Sequence, residues 1–282
     1  MGYLASFLIA SGSSLLVVLA ILSSLRIHGH LTLDSDSGVQ KLHKQPTPRV
    51  GGVAVMTGAV LGGLALDADA RQLWWAMCLA STPVFAFGLA EDLTKRVGVL
   101  SRLMAALCAG LIFPLLGGYR ITGVDIPGID LFFAVPVASV LFTAFAIAGI
   151  ANAINIIDGV NGLAAGSAII ILSGFAVVAS QVGDTAILAI CLVIAGALTG
   201  FFLLNWPMGR LFLGDAGAYT TGFLLAAIAV ALPERNPDLS GLIGLLALIY
   251  PATETLVSIH RRLGRKGTHP GQADRLHLHS LL

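Results

Sequence analysis

The stretch "NAINIIDGVNGLAAG", residues 152 to 166, places two amides, a carboxylate and a third amide at the end of a long apolar run. Asn152, Asn155 and Asp158 recur at intervals of three, which brings all three near one face of a helix that continues that far. Polar side chains beside hydrocarbon are costly, so such a row points to a site. Other carboxylates stand in similar settings: Glu91 and Asp92 in "EDLTKR", and Asp215 in "FLGDAG" between Gly214 and Gly217. Hard oxygen donors of this kind suit Mg²⁺, with Mn²⁺ as the alternative, because such ions bind one or two carboxylates together with substrate phosphates. Carboxylates alone repel phosphate, and Lys41, Arg49, Arg262, Lys266, His277 and His279 supply cations. A helix that starts at Asp215 aims N–H groups outward, which favours an anion. Each feature also has a simple reading by itself: Asp215 as a helix cap, Glu91 and Asp92 as solvated partners of Lys95 and Arg96, His277 as a structural histidine. All of those readings would have to hold at once.

The elements that carry these residues are apolar. Of 282 residues, 56% are hydrophobic and 11% charged, with a mean hydropathy of +0.90. A soluble chain carries about 25% charged residues, so this one reads as an all-α polytopic membrane protein. Nine spans are expected, at roughly 4–26, 50–68, 72–90, 98–117, 131–151, 163–182, 185–204, 215–232 and 239–259. No Lys or Arg precedes the first run, and it is longer than a signal h-region, so it reads as a retained helix. Short connections make residues 1–282 one transmembrane domain. Nine spans sort thirteen Lys and Arg residues to one side and Arg71, Arg120 and Arg235 to the other, which makes the first side cytoplasmic and the N-terminus outside. The same parity puts every segment with chemistry on the cytoplasmic face. A net charge of +1 with no basic block gives no reason to expect nucleic acid. Cys78, Cys108 and Cys191 lie in apolar runs without CxxC spacing, as core residues do.

"NAINIIDGVNGL", "LNWPMGRLFLGDAG" and "DRLHLHSLL" resemble, in order and spacing, signatures of the polyprenyl-phosphate N-acetylhexosamine-1-phosphate transferase superfamily. The resemblance covers residues 41 to about 281 and is nearest to the polymer-initiating branch. It implies transfer of a sugar 1-phosphate from a UDP-N-acetylhexosamine to undecaprenyl phosphate at the bacterial cytoplasmic membrane, with release of UMP. The partners implied are those two substrates and membrane lipid, and a homodimer is allowed. By position, Asp215 matches the family's Mg²⁺-binding aspartate, and Asn155 matches an asparagine at the metal and diphosphate. Asp158 closes NxxNxxDG at the nucleotide pocket, together with Asn152, while Gly159 and Asn161 fall in the loop that meets uracil. Lys41 and His43 match a KxH in the first cytoplasmic loop, and His277 and His279 match the last loop's histidines near the diphosphate. Arg262 is a further substrate-binding cation, Glu254 follows Pro251 as in the family's Pro-x-x-acidic pattern, and Asp92 is an acceptor-side carboxylate whose role as a base stays open. This chain has Glu91 where the family usually has Asp, Asn161 where bacterial members commonly have Asp, Gln40 for Arg and Ser280 for His. The family continues into at least one more span, so a longer chain is expected. The peptidoglycan phospho-MurNAc-pentapeptide transferase is the runner-up, and a transporter or flippase is the non-enzymatic alternative.

Overall fold

The computed structural model describes residues 2–33 and 47–263, with side chains for all of these except 262 and 263. Lys41, His43, Lys266, His277 and His279, and the side chain of Arg262, lie outside what is described. Apart from an isolated bridge between Leu33 and Pro48, the described residues form only helices. In chain order these are α1 (Tyr3–Ser23), α2 (Leu25–Thr32), α3 (Gly51–Gly63), α4 (Ala68–Ala80), α5 (Thr82–Thr94), α6 (Val99–Gly117), α7 (Asp130–Phe133), α8 (Pro136–Ile157), α9 (Leu163–Val182), α10 (Thr185–Asn205), α11 (Gly214–Arg235), α12 (Ile243–Ala247) and α13 (Ile249–Leu263).

Six of them, α1, α6, α8, α9, α10 and α11, are long and apolar enough to cross a membrane, and the pair α4–α5, bent by 46°, makes a seventh if taken as one span. The expected nine are therefore not reached by these criteria among the described residues. Hydropathy alone misses the interruptions. The run expected at 50–68 is the 13-residue α3, because the Asp67 side chain accepts from the Ala70 N–H and opens α4 in its place. Pro83 lies in the first turn of α5 and marks the bend, since its ring has no N–H with which to continue the hydrogen bonding of α4. The expected span at 239–259 is divided at Leu248, and Pro251 falls in the first turn of α13.

At the centre stands α11, buried along nearly its whole length and packed by α8, α5, α3 and α9. The outer helices turn leucines such as Leu4, Leu16 and Leu115 outward, as a lipid-facing surface requires. α1 lies between α3 and α10 at close range. A side chain on Gly58 or Gly62 of α3 would strike Ala10 or Ser14, and one on Gly196 or Gly200 of α10 would strike the backbone of Phe7 or Ser11. In lipid, where apolar surface gains nothing by leaving solvent, such small-residue contacts let helices associate through van der Waals packing.

One end of the bundle is tied by Arg235. Its guanidinium meets Asp184 at 2.8 Å, Asp69 at 2.8 Å and the Tyr119 hydroxyl at 3.0 Å, joining the starts of α4 and α10 to the end of α11. Asp184 also caps α10 by accepting from the Ile187 N–H and receives the Asn236 amide. Burial would raise the Asp184 carboxyl, but the bonds from Arg235, Ile187 and Asn236 and the Arg235 charge outweigh it and hold the group below its ordinary value. Because the folded value is depressed, this contribution to stability is present above the unfolded value of 3.8 and is lost as pH falls through the folded one. Asp184→Asn should destabilise the detergent-solubilised protein by about 3 kcal/mol at pH 7, since it leaves Arg235 without its buried partner. The difference from the parent protein, read by denaturant unfolding, should shrink as pH drops below about 4.

Candidate active site

The opposite end of the bundle gathers the polar residues. It is organised around the first turn of α11, where Gly214 takes φ +74. A side chain there would strike the Arg49 carbonyl and the Asp92 carboxylate, so only glycine fits this approach. Asp92, at the end of α5 and fully buried, accepts from the Asp215 N–H at 2.8 Å and from the Ala216 N–H at 2.9 Å. Both oxygens of Asp92 are thus committed to the helix start, satisfying two N–H groups that have no partner inside α11. α5 comes this close because Gly88 leaves room: a side chain there would collide with the Ala216 backbone.

A second segment is threaded beneath. The Gly51 N–H donates to the Phe212 carbonyl at 2.9 Å, the Gly52 N–H to Leu213 at 2.8 Å, and the Phe212 N–H to Pro48 at 2.9 Å. These backbone bonds join "PRVGG" (48 to 52) to "FLGD" (212 to 215) and carry Arg49 to Asp215, with 3.5 Å between Arg49 Nη2 and Asp215 Oδ1. Arg102, from the first turn of α6, reaches Asp215 Oδ2 and lies 5.9 Å from the centre of the Tyr219 ring. Asp215 itself is only 5% exposed. Two guanidinium groups and a helix N-terminus surround one buried carboxylate, which makes this end of the bundle receptive to anions.

α8 supplies the row of amides. Asn155 Nδ2 donates to Asp215 Oδ1 at 3.0 Å, and Asn152 Oδ1 accepts from the Tyr219 hydroxyl at 3.1 Å. α8 ends at Ile157, so Asp158 is the first residue past the helix, its N–H 3.4 Å from the Asn155 carbonyl. The Asp158 carboxyl keeps part of its surface open yet stands among protein atoms. Desolvation pushes it up to about 8; the Arg49 charge opposes the shift, and that of Asp92 adds to it. The loop that follows is held by Asn205 at the end of α10, which accepts from the Gly162 N–H at 2.7 Å and donates to the Leu211 carbonyl at 2.8 Å. Gly159 is exposed, and the half-buried Asn161 lies against Gly209. Trp206, 54% exposed, covers Gly162 and stacks on Phe202 with ring centres 5.7 Å apart.

Of the residues expected from sequence, the structure joins Asp215, Asn155 and Asp92 directly, links Asn152 through Tyr219, and sets Asp158, Gly159 and Asn161 beside them. Glu91 turns away and accepts from the Val97 N–H at 2.7 Å, closing the α5–α6 turn. Sequence reasoning assigned no role to Arg102, Tyr219 or Asn205. Arg102 could have been found as a lone guanidinium in the first turn of a spanning helix, and Asn205 as an amide closing an otherwise apolar one. Among the described residues no three His, Cys, Asp or Glu side chains are grouped to hold a metal. Mg²⁺ takes few protein ligands when phosphates complete its shell, so the single carboxylate of Asp215 suits it, while the Asn155 amide faces that carboxylate through Nδ2.

The sequence pattern described as Glycosyl transferase family 4 matches residues 74–233. A probable undecaprenyl-phosphate N-acetylglucosaminyl 1-phosphate transferase of Bacillus subtilis is 30% identical over 248 residues, covering 86% of this chain and 67% of that protein. A decaprenyl-phosphate N-acetylglucosaminephosphotransferase of Mycolicibacterium smegmatis is 30% identical over 275 residues, covering 86% and 66%. A phospho-N-acetylmuramoyl-pentapeptide-transferase of Bacillus thuringiensis is 26% identical over 204 residues, covering 68% and 63%. The chain thus spans about two thirds of the length of the curated relatives it matches.

The burial of Asp92 separates a cap from a solvated base. Asp92→Ala removes both acceptors and should lower stability by about 2 to 4 kcal/mol in denaturant unfolding, while Asp92→Asn, which keeps one acceptor oxygen, should cost about half of that. Unchanged stability in both variants would show that the carboxylate does not hold α11.

Proposed function

Because the chain belongs to glycosyl transferase family 4, we propose that it transfers a HexNAc 1-phosphate from a UDP-sugar to undecaprenyl or a related polyprenyl phosphate, releasing UMP and starting a lipid-linked cell-envelope glycan. The observation that carries this reading is the buried Asp215 among Arg49, Arg102 and Asn155 at the end of an apolar bundle. The printed names of the two 30%-identical relatives specify polyprenyl phosphates, which supports the acceptor. An isoprenoid tail stays in lipid while its phosphate stands at the surface, so a phosphotransferase for it needs a spanning scaffold with chemistry at one end.

In the proposed reaction an oxygen of the acceptor phosphate bonds to the β-phosphorus of the nucleotide sugar, and the bond from that phosphorus to the oxygen leaving with UMP breaks. Asp215 with Asn155 would hold Mg²⁺, which supplies charge neutralisation for the diphosphate. Arg49 and Arg102 are the described cations nearest the place where phosphate charge would gather. The Asn205-braced loop from Gly159 to Gly162 is the proposed nucleotide contact. A phosphate monoester has a second pKa of about 6, so most acceptor is already dianionic at pH 7 and no strong base is required. That agrees with Asp92 being committed to the start of α11. Positioning and charge neutralisation carry the rate.

Asp215→Asn keeps the side chain's size and removes its charge. It should lower Mg²⁺-dependent UMP release from UDP-N-acetylhexosamine and undecaprenyl phosphate by about a hundredfold or more, normalised to folded full-length protein. Retention of more than about a third of the turnover, with the same Mg²⁺ requirement, would refute the metal assignment. The proposed cytoplasmic placement is tested in a Cys108→Ser background. Arg96→Cys should react with an impermeant thiol reagent only after the membrane is opened, whereas Pro127→Cys, on the exposed connection between α6 and α7, should react in intact cells.

A further inference from the structure

Asp215 has no vacancy in this structure. Arg102 donates to Oδ2, Asn155 donates to Oδ1 at 3.0 Å, and Arg49 stands 3.5 Å from Oδ1. A divalent cation on this carboxylate would share it with two guanidinium groups, and like charges within a few ångströms in a poorly screened site repel strongly. One of the present partners must yield. Arg102 is the one equipped to do so. Arg49 is the more exposed of the two, at 27% against 13%, but the buried Nε of Arg102 has no acceptor among the described residues, so where it stands its guanidinium leaves bare a donor that a further anionic group could take. The Tyr219 ring, fixed by its hydroxyl to Asn152, lies beside the guanidinium and gives it a surface to shift across.

We propose that Arg102 is the resident counter-ion of Asp215. It holds the carboxylate while the site is empty of metal, and it passes to a phosphate oxygen of the arriving nucleotide when a divalent cation takes its place. The exchange rests on the reading of Asp215 as the metal ligand. It keeps every buried charge paired in both states, which a carboxylate abandoned in the interior of an apolar bundle would not be. The cation and the nucleotide are thereby coupled. A cation alone must strip Arg102 from its partner and leave it unpaired, whereas a nucleotide diphosphate receives the displaced guanidinium, so each ligand strengthens the other.

The measurement is Mn²⁺ binding by electron paramagnetic resonance to the detergent-solubilised full chain, with and without UDP. The parent protein should bind Mn²⁺ weakly alone and about tenfold more tightly with UDP. Arg102→Gln should bind Mn²⁺ alone about tenfold more tightly than the parent, lose most of the gain from UDP, and show a larger rise in Tm on adding Mn²⁺. Arg102→Lys, which keeps a charge on a shorter arm, should fall between the two and decides the matter if the glutamine variant does not fold. Mn²⁺ affinity without UDP that is unchanged or weaker in the variant measured overturns the exchange. Absence of Mn²⁺ binding in every protein, with and without UDP, overturns the exchange and the metal assignment together. Tighter Mn²⁺ binding in the variants, beside a parent that releases no UMP from UDP-N-acetylhexosamine, upholds the exchange and strikes the transferase reading alone.

Discussion

A charged carboxylate survives inside an apolar bundle only if every oxygen finds a donor, and the end of this molecule that carries Asp215 is arranged around that requirement. The helix start at Gly214 needs its own N–H groups satisfied, and a carboxylate from α5 does this. Asp215 then needs partners, and they arrive from the segment before α3, from α6 and from α8. Four parts of the chain that are distant in sequence converge because two buried carboxylates cannot be left bare. The glycines at 52, 88 and 214 follow from the same demand, since each lets backbone come near enough for those bonds to form.

The two polar ends solve similar problems differently. Around Arg235 the charges close on one another: guanidinium, two carboxylates, a phenol and an amide leave a self-satisfied knot that holds three helix ends together. Around Asp215 two guanidinium groups and an amide meet one carboxylate, and Asp158 is pushed toward its neutral form by desolvation. Charges gathered beside a group of shifted protonation, and not closed into a knot, distinguish a place that receives a ligand from a place that only fastens helices.

Much of this was legible from residue types and spacing. Asn152 and Asn155 share a face because α8 continues through both, and the run of glycines around Asp215 does mark a close backbone approach. The proposed roles of Asp215 and of the loop from Gly159 to Asn161 came from the resemblance of their motifs to a family, not from spacing. What stayed hidden were relations across the chain. That Asp92 would spend both oxygens on a helix start 123 residues away has no local signal, and Arg102 reads as an ordinary positive residue at a membrane boundary until Asp215 is placed beside it. The span count failed for a related reason. A hydropathy window sees apolar length but not a cap at Asp67 or a first-turn proline at 251, and those decide where α3 ends and α13 begins.

The lodging of α1 between α3 and α10 also bears on how the protein is made. α1 meets α3 soon after both are made, but its other wall is α10, which emerges only after the helices between them have been synthesised. Until then the face of α1 that carries Phe7, Ser11 and Ser14 lacks the two glycines it packs on. The close packing of α1 is therefore completed late in synthesis, when Gly196 and Gly200 arrive to receive its backbone.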